Sequence, residues 1–225
     1  MQLLAKTIAP GAKFTSRATS RAQNFCLRSG FELRVNQCWS YSEYWRSLLK
    51  YVLLLRGVNV GKSVQVPMKV LKSILEGMGL DTVTTYLNSG NALFESDKTK
   101  AELSILIDKA LTETFKQKIS FLVKTSLEIV NIEAAIPKKW NNNENEQTYV
   151  AYLYDDLDRE NIISELPIKK EYVTIVYCKG AIIWNIKSEY YNKSQITKIA
   201  QYYGYGKMTT RNVNTAKKLA ELAKV

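Results

Sequence analysis

The polarity pattern along the chain becomes regular from Leu49 onward. "YVLLLRG" is a short apolar run that ends in a glycine, which predicts a buried strand. In "VPMKVLKSILEGMGL", Val70, Leu71, Ile74 and Leu75 recur at helical spacing between Pro67 and Gly79, a proline start and a glycine stop. "TVTTYLNSGNALFES" predicts two strands joined at Asn88-Ser89-Gly90-Asn91. "KTKAELSILIDKALTETFK" predicts a helix with Leu103, Leu106, Ile107 and Leu111 on one face, and "KISFLVKT" a fourth strand. The order β-α-β-β-α-β is the ferredoxin-like split unit.

"LEIVNIEAAIP" continues as a helix into "KKWNNNENEQ", a polar, aperiodic stretch that predicts a loop and a boundary. A second β-α-β-β-α run follows: "TYVAYLY", "DRENIISEL", the hairpin "YVTIVYCKGAIIWNIK" turning at Lys179-Gly180, and "QITKIAQYYG". "NTAKKLAELAK" predicts a last helix. The expected architecture is α+β: two ferredoxin-like subdomains, 49–137 and 138–225, packed together, with a C-terminal helix.

Residues 1–48 lack this regularity. They hold five of the eight arginines and two of the 24 lysines, while the body has 22 lysines and three arginines. Such a segment superficially fits an organelle transit peptide. We read it instead as a non-native or disordered extension, vector-derived or translated from an upstream start, with "SEYWRSLL" able to form a short helix.

Composition removes whole classes of chemistry. The chain has no histidine, so imidazole bases, Ser-His-Asp triads and HExxH zinc sites are absent. Cys26, Cys38 and Cys178 form no CxxC pair, which argues against a disulfide framework and for a reduced, cytoplasmic setting. No apolar run approaches the roughly 18 residues of a membrane helix. No metal or cofactor is expected. The formal charge of +11 divides into +5 before residue 49 and +6 after it, so the body is only moderately basic.

"RGVNVGKS" imitates a phosphate-binding loop, yet three residues separate Gly57 from Gly61 where the Walker motif needs four, and Lys62 opens no helix. The strands "YVLLLRG" and "NALFES" lack the stacking aromatics of an RNA-recognition motif. Asp155, Asp156 and Asp158 are expected to favour the positive end of a helix rather than bind magnesium. Cys178 reads as a small core residue, and the tyrosines of "QYYGYGK" as packing rather than base stacking.

What remains is a set of small polar residues and two arginines: Arg56, Asn59, Asn88, Ser89 and Asn91, then Arg211, Asn212, Asn214 and Thr215 in "TTRNVNT". The split unit brings the loop after its first strand and its β-hairpin to one end of the sheet, so "RGVNVG" and "NSGN" are expected to be neighbours. Asn and Gly also suit tight turns, the plainer explanation of both motifs. In so lysine-rich a body, arginine suggests a need for its planar fork. The expectation is that Arg56 and Arg211 flank one anionic group, with Asn59, Ser89 and Asn91 giving neutral hydrogen bonds.

The motifs "LLRGVNVG", "YLNSGNALF" and "TTRNVNTAKKLAEL", with Pro137 and Trp140 in "PKKW", resemble those of a bacterial family called domain of unknown function 1697. The resemblance covers roughly residues 49–225. Val213 departs from it, standing where the family carries a tryptophan. The resemblance implies two ferredoxin-like subdomains and no established activity. Three functions stay open: a binding module for a phosphate-bearing or other anionic ligand such as a nucleotide or nucleic acid, a histidine-independent enzyme using Asn, Ser and Arg groups, and a protein-interaction module.

Overall fold

The computed structural model describes residues 48–224. The expectations placed on residues 1–47 lie outside the described residues. Strand β1 (Leu49–Leu55) is followed by α1 (Met68–Gly77), β2 (Asp81–Tyr86), β3 (Asn91–Ser96), α2 (Lys100–Phe115), β4 (Phe121–Thr125) and α3 (Ser126–Ala134). Then come β5 (Glu146–Leu153), α4 (Ile162–Glu165), β6 (Thr174–Cys178), β7 (Ala181–Lys187), a 3-10 segment (Ile196–Gln201), β8 (Met208–Asn212) and α5 (Val213–Lys224). Local chemistry accounts for the boundaries. Thr99 and Thr125 each form a reciprocal cap with a glutamate three residues on, Glu102 and Glu128, which starts α2 and α3. Gly79, at φ +75, lets the chain leave α1.

Two four-stranded antiparallel sheets result, ordered β2-β3-β1-β4 and β6-β7-β5-β8. The two orders are the same when the first half is laid on the second, and the register of the central strand with its two neighbours agrees residue by residue. Tyr51 faces Phe94 on one side and Thr125 on the other, as Tyr149 faces Trp184 and Asn212. Helices α3 and α5 follow the matching strands β4 and β8.

Alternation along the central strands sorts side chains into three cores. Tyr51, Leu53 and Leu55 bury against Leu71, Leu75, Leu103, Ile107 and Leu111 of α1 and α2. Ala151 and Leu153 join Ile162, Trp184, Ile196 and Tyr202. The opposite faces, with Val52 and Leu54 from one sheet and Val150 and Tyr152 from the other, share a central core with α3 and α5. Trp140 and Val213 both lie in this shared core. Its apolar area, removed from water on both sides, joins the two halves.

Three expectations need correction. The second run, expected as β-α-β-β-α, has one strand more: "MTTRN" forms β8, which completes the second split unit. "QITKIAQYYG" folds as 3-10 turns. The helix expected over "DRENIISEL" is a single turn, Ile162–Glu165, so the aspartates before it do not serve a helix end. Asp158 instead accepts from the Gly180 amide at 2.8 Å and the Tyr177 hydroxyl at 3.0 Å, which fixes the β6–β7 turn. Asp156 pairs with Lys207, and Asp155 lies 3.7 Å from Lys124.

Candidate functional site

The loop after β1 and the β2–β3 hairpin meet, as the split-unit topology requires. The Asn59 side-chain amide donates to the Asn88 carbonyl at 2.7 Å and the Val66 carbonyl at 2.9 Å, while its Oδ1 accepts from the Val66 amide at 2.7 Å. Asn59 takes φ +57, a conformation asparagine tolerates, so the side chain that cross-links the loop also permits its bend. Asn59, Gln65, Val66, Pro67 and Asn88 line a shallow cavity of about 310 Å³.

The same loop shows why no phosphate cradle forms. The Asn59 amide donates to the Val64 carbonyl at 2.9 Å and the Val60 amide to the Ser63 hydroxyl at 2.8 Å. Those N–H groups are used within the loop, and the next helix begins only at Met68. Lys62 is exposed at the turn.

Arg211 is held in an unusual way for a cation. It is 8% exposed, and β8 carries it into the end of the first sheet. Its Nε donates to Asn91 Oδ1 at 2.7 Å; Nη1 to Thr209 Oγ1 and the Thr210 carbonyl, both at 2.9 Å; Nη2 to the carbonyls of Leu55 at 2.7 Å and Ser89 at 2.9 Å. A guanidinium has five N–H donors, and all five are occupied. Among the described residues no carboxylate pairs with it. Burial pulls its pKa down to about 10, partly opposed by Tyr152, which leaves it charged at neutral pH. Asn91, fully buried, completes the network by donating to the Tyr86 carbonyl at 2.8 Å and Ser89 Oγ at 2.9 Å. The expectation that Arg211 presents its fork to a ligand is therefore corrected: the fork binds the first half's hairpin.

Arg56 differs. Its Nε donates to the Met208 carbonyl at 2.9 Å and its Nη2 to the Tyr205 carbonyl at 3.1 Å, and its guanidinium carbon sits 4.9 Å from the centre of the Tyr205 ring. Two donors are used, three have no partner among the described residues, and the side chain is half-buried. Asn212 accepts the Thr215 amide at 2.8 Å and so caps α5, with Thr215 buried and Asn214 exposed on the first turn. The predicted residues thus divide into three groups: Arg211 with Ser89 and Asn91, Asn59 with Asn88, and a helix cap; Arg56 stands apart from all three.

Sequence reasoning missed the aromatic turn beside Arg56. Tyr202 is buried, but Tyr203 is 75% exposed and Tyr205 36% exposed, so the packing expected for this group holds only for the first. The signal was the spacing of tyrosines by glycines in "YYGYGK", which denies a continuous packed face. Cys178 is unsuited to nucleophilic chemistry: burial, then the charge of Asp158, pushes its thiol up to about 11.

Comparison with known proteins agrees with this architecture. A family model described as "Protein of unknown function (DUF1697)" matches residues 48–184. Among solved structures the chain is similar to a conserved bacterial protein, SP0830 from Streptococcus pneumoniae, at 25% identity and a TM-score of 0.69, over 79% of this chain and 99% of that one. No curated protein matches. Among the described residues no helix is long and apolar enough to cross a membrane.

Proposed function

The chain belongs to the DUF1697 family, a family of unknown function, and from that premise we propose that it is a binding module that holds an anionic group at the open end of Arg56. The observation that carries this reading is the state of that guanidinium. Two main-chain carbonyls and the Tyr205 ring hold it in place, so little side-chain freedom is left to lose on binding. Three N–H donors have no acceptor among the described residues, and no described carboxylate neutralises the charge. A fixed planar fork with vacant donors suits a phosphate or carboxylate.

A second reading, a protein-contact surface, draws on the other end of the same loop. Val60 is 72% exposed and Leu87 55% exposed beside the cavity at Asn59 and Asn88, and Leu87 sits at φ +56, where a branched side chain is strained.

Thermal unfolding with added inorganic phosphate and pyrophosphate separates the two. A ligand that binds only the folded state raises its melting temperature. The anion reading expects a rise that falls with salt, weakens in Arg56→Lys and vanishes in Arg56→Gln. An equal rise in Arg56→Gln, or none in the unaltered chain, overturns it.

A further inference from the structure

Tyr203 combines two properties that seldom coincide. Its side chain is 75% exposed, yet its hydroxyl is fixed, accepting from Arg159 Nη2 at 2.5 Å and donating to Glu165 Oε2 at 2.6 Å. The buried Tyr202 donates to the same carboxylate oxygen at 2.6 Å, and the two rings lie 4.5 Å apart with planes inclined by 54°. An exposed ring would ordinarily sample several rotamers. Here Arg159, Glu165 and Tyr202 hold it open to solvent with nothing described packed over it. Rigid aromatic rings of this kind make binding platforms because little ordering cost is left.

The chemistry around the ring narrows the ligand. Tyr203 is two residues from Tyr205, whose carbonyl holds Arg56. Two residues span at most about 7 Å of chain, so the main chain that carries the ring adjoins the carbonyl that holds the fork. Arg159 pairs with Glu165, and Lys207 with Asp156, whereas Arg56 has no carboxylate partner among the described residues. A platform for a planar π system beside one fixed anion fork fits a phosphate that carries an aromatic base.

Resting on the anion reading of Arg56, we infer that the ligand is a nucleotide unit: its phosphate meets the free donors of Arg56 and its base stacks on Tyr203. Base stacking on an aromatic side chain is sequence-tolerant, so the platform accepts a free nucleotide or a nucleotide within a single strand.

Calorimetric titration of the full chain with adenosine monophosphate, ribose 5-phosphate and a single-stranded ten-nucleotide oligoadenylate tests this. Adenosine monophosphate should bind about ten-fold or more tightly than ribose 5-phosphate, the scale of one stacked base. Tyr203→Leu should remove that advantage while leaving ribose 5-phosphate binding unchanged; Tyr203→Trp should keep it. Tighter binding of the oligonucleotide would assign the site to a strand, and equal binding per site to a free nucleotide. Equal affinities for the two monophosphates, with both lost in Arg56→Gln, would overturn the stacking inference and leave the anion reading intact. Failure of every probe to bind would overturn both.

Discussion

Lys124 and Arg211 occupy the same position in the two halves: Lys124 lies opposite Val52 across β4 and β1, as Arg211 lies opposite Val150 across β8 and β5. Both are buried cations that reach into the other half. Arg211 meets the carbonyls of Leu55 and Ser89 and the side chain of Asn91. Lys124 stands beside the corresponding Gly180, its Nζ 3.4 Å from where a Cβ would be, with Asp155 at 3.7 Å and Glu128 at 3.8 Å. The hairpins differ: four residues join β2 to β3, and two join β6 to β7. The longer turn supplies acceptors, and the shorter one supplies none.

Equivalent positions should therefore respond unequally to the same change. Arg211→Met strands buried acceptors in both halves and should cost about 3–5 kcal/mol in urea unfolding, with Arg211→Lys between it and the unaltered chain. Lys124→Met should cost no more than about 1 kcal/mol. Glu128 keeps Lys100 at 3.0 Å and its cap on Thr125, and Asp155 is 80% exposed. Equal losses at the two positions would contradict this division of roles.

Gly90 and Gly57 both have positive φ, +76° and +63°, but differ in surroundings. A Cβ at Gly90 would lie 2.6 Å from Leu55 Cβ and 2.9 Å from a Val58 methyl, while one at Gly57 would meet nothing within 4 Å. Gly57→Ala should cost about 1 kcal/mol of backbone strain. Gly90→Ala adds a clash in the packed core and should cost about 3 kcal/mol or more in the same unfolding assay.

Glu165 gives the stability an acid-sensitive component. Hydrogen bonds from Arg159 first, then Tyr202 and Tyr203, hold its carboxyl down at about 2 from an ordinary 4.5. A depressed carboxyl stabilises the fold above its unfolded value and loses that contribution as pH falls toward the folded one. The melting temperature of the unaltered chain should exceed that of Glu165→Gln at pH 6, and the gap should close between about pH 4.5 and pH 2. A gap that persists at pH 2 would assign the effect to packing.

The loop at Lys62 should be silent in nucleotide chemistry. With the amides of Asn59 and Val60 spent inside the loop, magnesium-supported hydrolysis of ATP or GTP should not be measurable. Lys62→Ala should leave adenosine monophosphate affinity within about two-fold, since an exposed lysine without a cradle adds little. Turnover lost in Lys62→Ala would reverse this.

The elements with clear periodicity were legible in the sequence. β1 is an apolar run buried on both faces, while α1 and α2 each bury a patterned face and begin at Pro67 and the capping Thr99. The neighbourhood of "RGVNVG" and "NSGN" followed from topology alone. β8 was hidden because only Met208 among its five residues is apolar, so no alternating apolar pattern marks it. The role of Arg211 was not legible either, since its partners include main-chain carbonyls 122 and 156 residues away, which any residue type could supply. Asp158 misled in the same way, because its acceptors serve Gly180, 22 positions later, rather than the helix beside it. The openness of Tyr203 depends on what fails to pack over it, which no local spacing encodes.

The reach of Arg211 also bears on the order in which the chain is made. Asn91 leaves the ribosome 120 residues before the arginine that satisfies it, along with the carbonyls of Leu55 and Ser89. At about 5–20 residues per second that is an interval of roughly 6–24 seconds. During it the first sheet can form, but its hairpin end must bind water where the guanidinium will sit, and its inner face waits for β5, β7 and α5. The earlier half is thus a provisional structure during synthesis, and the strand that finishes the second half also completes the first.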